Sequence, residues 1–258
     1  MIYYRKVMSE NKKIAGKAED PREAALDELF ADVGDESITV TELPSRGKFY
    51  GNFKGLEVSP LTYADEQKVL GIRDPNTDLI TKLLSKTVKG VPAGDLLQMD
   101  KIYLLMKVRE LSYGANYEFK ITCPACESDI STELVLSEHL NMLQIPEDME
   151  DPREIELPKL KVKAKVRFPR SDEELFFKDS ETTEKNIYRF IISINDNEDP
   201  IFIAKAVKRL HIMDMKTLIN AIVSTNYGVD PRFIFECPEC DHSQTMAIPF
   251  DANFFSVS

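Results

Sequence analysis

No apolar run in the 258-residue sequence approaches the roughly 20 residues that cross a bilayer. The opening Met1-Ile-Tyr-Tyr-Arg-Lys-Val7 lacks the sustained apolar core of a signal peptide, so the chain is expected in the cytoplasm. Met8 is an alternative start. Basic charge is in short supply: 33 Lys and Arg stand against 44 Asp and Glu, a formal charge of -11. This argues against nucleic acid as a partner, because non-specific binding rests on cations that neutralise phosphates. A glycine-rich phosphate loop is missing, as is any Ser/His/Asp or Cys/His constellation. His139 and His211 have no partner pattern, and lone histidines are usually structural. Neither an enzyme nor a small-molecule site is expected.

What is present is globular composition, with 43% apolar and 30% charged residues, enough for a core in one large domain or two small ones. Residues 1–53 read as an N-terminal arm. Within it Asp20-Pro21-Arg22-Glu23 supplies an N-cap, a first-position proline and a capping glutamate, and Leu26, Leu29, Phe30 and Val33 follow at helical spacing up to Gly34. After it, Leu43-Pro-Ser-Arg-Gly-Lys-Phe-Tyr50 reads as bent, extended backbone. This arm is expected to be an extended docking segment that binds a partner through Leu26, Leu29, Phe30, Phe49 and Tyr50; the competing view is that it packs along its own body. Further on, Leu56-Glu-Val58 reads as a strand, Thr62 opens a helix to Leu70, a second helix runs from about Asp78 to Val88, and Asp100 caps a third.

A shift of 114 positions superimposes that third helix on a later segment without gaps. Asp100 falls on Asp214, Leu104 on Leu218, Val108 on Ile222, Tyr113-Gly114 on Tyr227-Gly228, and Phe119 on Phe233. Cys123-Pro-x-Cys126 then falls on Cys237-Pro-x-Cys240, and Leu134 on Ile248. The reading is an internal duplication: a first unit over 54–136, an acidic, proline-bounded connection over 137–156, and a second unit over 157–258. The alternative is two unrelated helix-to-strand connections that share common cap and turn residues. The basic strand Lys161-Val-Lys-Ala-Lys-Val-Arg167 alternates with small apolar residues and reads as the solvated face of an antiparallel sheet.

All four cysteines lie in the two Cys-Pro-x-Cys pairs, and in a reducing compartment that pattern favours metal over disulfides. Tyr117, Phe119 and Ile121 alternate before Cys123, and Thr132, Leu134 and Leu136 after Cys126; Phe233, Phe235, Met246, Ile248 and Phe250 flank the second pair likewise. Strand, tight turn and strand make a zinc-knuckle hairpin. Two knuckles offer the four thiolates of a closed tetrahedral Zn2+ site at Cys123, Cys126, Cys237 and Cys240. The expected fold class is thus α+β: two helix–knuckle-hairpin units joined by a pseudo-twofold four-cysteine zinc ribbon. Thioredoxin-like chemistry would want one motif at a helix N-terminus, whereas both lie between strands. His242 could replace a cysteine, but four are available. The pairs Asp65-Glu66 and Asp172-Glu173 suit first helical turns, where the helix dipole favours them, better than acid–base work.

Several of these stretches form a series. Leu43-Pro-Ser-Arg-Gly-Lys-Phe-Tyr50, Asp100-x-x-Tyr103 leading to Arg109-x-x-Ser112-Tyr-Gly114, Cys123-Pro-Ala-Cys126 and the closing Ile248-Pro-Phe-x-x-Asn-Phe-Phe255 resemble the baseplate hub family of contractile-tailed, T-even-type phages. The resemblance implies a structural or assembly role in the tail baseplate hub, other tail and baseplate hub proteins as partners, and no catalytic residues. It implies host cytoplasm during assembly and the virion if the protein is retained. It leaves open a chaperone that dissociates before the virion is complete, and a zinc-ribbon factor associated with nucleic acid stays as the alternative of another class. Acidic Glu127, Asp129, Glu236, Glu239 and Asp241 around the knuckles oppose that last reading. The purified protein is expected to leave a random DNA duplex unshifted in a gel at physiological salt; submicromolar binding would revive the nucleic-acid reading.

Overall fold

The computed structural model describes residues 21–30, 36–70, 78–139, 141–177, 179–223, 226–248 and 252–255. The chain divides into two units, residues 1–35 and 36–258. In the first, helix α1 (Pro21–Phe30) starts at the proline that the cap signal marks, and Leu26 and Leu29 are exposed. Asp20, Val33 and Gly34 lie outside the described residues.

The larger unit is α+β with small antiparallel sheets. Strands β1 (Ile38–Val40) and β2 (Leu56–Val58) pair antiparallel. Leu56 and Val58 are buried on one side of β2, while Glu57 faces out to meet Lys89 at 2.8 Å. Helices α2 (Tyr63–Leu70) and α3 (Leu79–Thr87) follow, the second capped by Asp78, which accepts the amides of Ile80 and Thr81. Strand β3 (Val88–Lys89) returns beside β2. Then α4 (Gln98–Tyr113) stops at Gly114, whose φ of 88° suits glycine. Hairpin β4 (Asn116–Thr122) and β5 (Asp129–Val135) completes this half. Its core gathers Val40, Leu43, Leu56, Leu84, Leu104, Leu105 and Val108.

A short α5 (Leu136–His139) and β6 (Met142–Leu143) lead into a second three-stranded sheet: β7 (Arg153–Glu156), β8 (Lys163–Val166) and β9 (Ile191–Ile194), with β8 central. Ala164 and Val166 are buried while Lys163 points out to Glu154 at 2.6 Å, so the basic strand is a solvated sheet face. A 3-10 segment (Ser171–Phe177) and α6 (Ser180–Asn186) lie between β8 and β9. After β9 come α7 (Pro200–Val207), α8 (Ile212–Ile222), β10 (Gly228–Val229) paired with β6, and hairpin β11 (Arg232–Glu236) and β12 (Ser243–Ala247). Leu157, Phe190, Ile194, Ile203, Leu218 and Ile222 form a second core, whereas Phe233, Phe235 and Ile248 of the last hairpin join the first.

Asp100 does not cap α4. The helix begins two residues earlier, and Asp100 sits buried in its first turn, with Oδ1 accepting the Ser45 amide at 2.8 Å and Oδ2 the Tyr50 hydroxyl. Burial raises the carboxyl above its usual range, and the bonds from Ser45 and Tyr50 oppose this. Such a group holds down the turn before it: Leu43 is fully buried, and the Arg46 guanidinium donates to the Ile145 carbonyl at 2.9 Å. Gly47 has a φ of 66°, and a Cβ there would stand 2.0 Å from the Phe53 ring. Residues 36–51 therefore pack along their own body rather than standing free to dock, because Leu43 is buried and the Ser45 amide bonds Asp100 within the chain.

The two halves also meet at Lys101, which is 1% exposed and reaches both Asp78, the cap of α3, and Glu174 of the 3-10 segment, the latter at 2.6 Å. Nearby, the Ser171 amide and hydroxyl both donate to the Leu96 carbonyl, at 2.8 and 2.9 Å. Burial pushes the Asp78 carboxyl up, but hydrogen bonds from Lys101 and Thr81 more than reverse this and leave it below the usual range. A carboxylate held down in this way adds stability that is full above its ordinary pKa and lost as pH falls through the lowered one. Lys101→Met, which strands the carboxylates, should cost about 3 kcal/mol in urea unfolding at pH 7. The cost should shrink through the carboxylate range, and a pH-independent cost would mean lost packing rather than lost charge.

Candidate metal centre

Each cysteine pair occupies the turn of a hairpin, and the two turns are built alike. In the first, the Cys123 amide donates to the Ser128 carbonyl at 2.9 Å and the Glu127 amide to the Cys123 carbonyl at 2.8 Å. In the second, the Cys237 amide donates to the His242 carbonyl at 2.9 Å and the Asp241 amide to the Cys237 carbonyl, also at 2.9 Å. Glu127 and Asp241 both turn left-handed, with φ of 61° and 56°. This reversal, with the stiff Pro124 or Pro238 inside it, carries two thiols round to one side of the hairpin end.

The hairpins meet through aromatic rings. Tyr117 stacks on Phe119 with centroids 4.9 Å apart, and Phe119 meets Phe233 edge-on at 5.7 Å. Beyond this ladder all four sulfurs lie within 4.8 Å of one another. Across the hairpins, Cys123 lies 3.8 Å from Cys240 and Cys126 3.7 Å from Cys237. These are not disulfides, whose sulfurs stand about 2 Å apart. They fit a tetrahedral zinc shell: Zn–S bonds of about 2.3 Å put neighbouring sulfurs about 3.8 Å apart. Cys123 and Cys237 are buried, Cys126 half-buried and Cys240 exposed.

The thiols do not share one protonation tendency. Hydrogen bonds from the Ser128 side chain and amide hold Cys126 down to about 6. The His242 amide lowers Cys240, but burial and the neighbouring Cys126, Cys237 and Cys123 outweigh it and push that thiol up to about 12. Four thiolates this close repel one another unless a cation compensates them. Glu127, Asp129, Glu236, Glu239 and Asp241 ring the turns and are all exposed.

Other residues singled out by type have structural work. The His211 ring caps α8, with Nδ1 accepting the Met213 amide at 3.1 Å. Glu66, in the first turn of α2, lies 2.8 Å from the Tyr113 hydroxyl. Glu173 takes both ends of the Arg167 guanidinium, at 2.6 and 2.8 Å. His242 serves through its backbone, and the side chain of His139 lies outside the described residues. The Arg109-x-x-Ser112-Tyr-Gly114 motif also acquires a physical account. Arg109 lies over the Tyr113 and Tyr117 rings at 4.8 and 5.5 Å, and the Ser112 hydroxyl accepts the Leu61 amide. Tyr113 also meets the Phe255 carbonyl at 2.9 Å, which ties the chain end to α4, and Phe254 packs on Tyr117 at 5.0 Å.

These motifs are where the comparison with known families falls. The family model for the T4 bacteriophage base plate protein matches residues 36–256, nearly all of the larger unit. The chain belongs to the T4 baseplate protein family. No curated protein and no solved structure matches it. The baseplate resemblance carried by the Leu-Pro-Ser-Arg-Gly and Tyr-Gly segments thus holds at the level of the family. Among the described residues of this baseplate protein, no helix is long and apolar enough to cross a membrane. Its hairpins should depend on their aromatic ladder: Phe119→Ala is expected to lower stability by about 2 kcal/mol, a truncated ring being only partly enclosed. Unfolding followed by near-UV tyrosine signal measures this, and an unchanged transition would show that the rings contribute little.

Proposed function

We propose that this protein is a structural or assembly component of the phage tail baseplate hub, in which one structural Zn2+ on Cys123, Cys126, Cys237 and Cys240 locks two repeated units together. The observation that carries the reading is the convergence of two hairpins, distant in sequence, on a single four-sulfur cluster. A closed four-thiolate shell leaves no position for a substrate, so the ion's role is to hold. Structural zinc contributes roughly 10–16 kcal/mol in peptide systems, enough to fix the halves as one rigid body. Such a body offers permanent surfaces to other tail and baseplate proteins, and the hub role itself comes from the motif resemblance.

Several correspondences support the repeat. Helices α4 and α8 begin at Gln98 and Ile212, a shift of 114 that also relates Gly114 to Gly228 and Glu127 to Asp241. The same shift carries Ser45 onto Lys159, whose amide bonds Asp214 at 2.7 Å as that of Ser45 bonds Asp100. Glu42-Leu-Pro44 falls on Glu156-Leu-Pro158, which carries the first repeat back from residue 54 to the stretch before it. The two short sulfur contacts exchange under the same operation, as a pseudo-twofold axis requires. Of the N-terminal arm, α1 with its exposed Leu26 and Leu29 is the part we assign to docking another tail protein.

Protein purified without chelator should carry one zinc per chain, and Cys→Ser at either knuckle should release it, because each pair supplies only half the shell. Elemental analysis without zinc, or mass spectrometry finding both pairs oxidised, would remove the clamp. The hub assignment is tested separately by the protein composition of purified virions. Presence in tails marks a permanent subunit, whereas absence from tails with impaired assembly on deletion marks a dissociable chaperone.

A further inference from the structure

Asp100 and Asp214 lie in the first turns of α4 and α8, and each accepts a backbone amide from the turn 55 residues earlier. What covers them differs. After the first turn, residues 48–55 precede β2 and bring Tyr50 back over the start of α4. There its hydroxyl donates to Asp100 and accepts the Leu97 amide at 2.8 Å, and Leu96 and Leu97 are fully buried. After the second turn, Val162 alone separates Lys161 from β8, so there is no room for a counterpart of that segment. At the places of Leu96 and Leu97 stand Leu210, half-buried, and His211, exposed. A cavity of about 550 Å³ opens there, walled by Leu160, Phe202, Leu210 and Asp214.

Two properties of this cavity point to its occupant. Its apolar wall is open to solvent: Leu160 is 51% exposed and Phe202 42%. Its rim is cationic, from Lys159, Lys205 and Arg209, and among the described residues none of the three forms an ion pair. Their neighbours Lys161, Lys163 and Arg167 all do, with Glu156, Glu154 and Glu173. On a chain with a formal charge of -11, three unpaired cations round an apolar hollow are a local reversal of the surface field. An acidic partner is repelled elsewhere and drawn here.

We propose that this cavity docks an acidic segment of another protein, which inserts a tyrosine where Tyr50 completes the first half. The ring would cover Leu160, Phe202 and Leu210, above Asp214, which is 1% exposed and already accepts the Lys159 and Leu160 amides. Carboxylates flanking the tyrosine would meet Lys205 and Arg209. An aromatic anchor in a pocket with a polar rim is the pattern that carries most binding energy at protein interfaces. The inference deepens the reading of this chain as a protein that works through protein contacts, and it uses neither the zinc nor the hub assignment.

The test uses the full chain and a fluorescent nonapeptide of Asp and Glu with one central tyrosine, read by anisotropy. The tyrosine peptide should bind at least tenfold tighter than its alanine twin. Phe202→Ala and the double change Lys205→Glu with Arg209→Glu should each weaken it at least tenfold without moving the melting temperature, since all three side chains are exposed. Equal binding of the two peptides would reduce the effect to bulk charge and overturn the proposal. So would undiminished binding by the variants, no binding at all, or displacement of the peptide by millimolar inorganic phosphate. A dimer of the chain that Phe202→Ala dissolves would assign the cavity to a second copy and equally overturn it. Zinc content and presence in virions are read on the same variants, so failure of the proposed function and failure of this site are told apart.

Discussion

Four sulfurs within 4.8 Å, two from each of two hairpins about 110 residues apart in sequence, constrain how the two halves of the larger unit have to lie. Neither hairpin is a stable object alone, since an isolated two-stranded ribbon is marginal in water. Each gains stability by laying an aromatic face on the other, Phe119 against Phe233, and the first also packs Tyr117 against Phe254 and under Arg109 of α4. The helices that precede the hairpins are then held in turn: Arg109 and Gly114 join α4 to β4 through rings and carbonyls, and Tyr113 brings in α2 and the end of the chain. The cysteine cluster sits at the far tip of this stack. A cation there would compensate the mutual repulsion of four thiolates held this close.

The rest of the unit is joined by buried polar groups rather than by a continuous sheet. Asp100 and Asp214 each fasten a Leu-Pro turn to a helix, and Lys101 connects the two halves through carboxylates on either side. Burying charge is costly unless every partner is in place, so these groups stabilise one arrangement and penalise slippage from it. Short sheets of two or three strands leave many edges, and such polar fasteners supply the specificity that long strand ladders would otherwise provide. For a member of a baseplate family, a body fixed in this way suits repeated placement in an assembly.

Much of the candidate site is legible in the sequence. Cys-Pro-x-Cys flanked by period-two apolar residues can hardly be anything but a hairpin turn, and the Tyr-Gly stop and the Asp78 cap act within a few residues of themselves. The same cap-and-proline signal at Asp199-Pro200 marks α7 and was there to be read. Asp100 was misplaced as a cap because an aspartate before an apolar stripe carries that meaning locally. Its actual partner, the Ser45 amide, lies 55 residues away, beyond the reach of any local pattern.

The sequence by itself therefore determined the local pieces: which residues turn, which face of each strand is apolar, and that four thiols come in two matched pairs. Those follow from backbone sterics and side-chain period, which act over a few residues. Only the tertiary structure decided that Leu43 and Tyr50 serve the chain's own core, and that Lys101 ends up between Asp78 and Glu174. It also decided that the second half leaves open the place Tyr50 fills in the first. The reason is physical: burial and ion pairing are properties of a location in the folded body, and a side chain acquires them only when distant segments arrive around it.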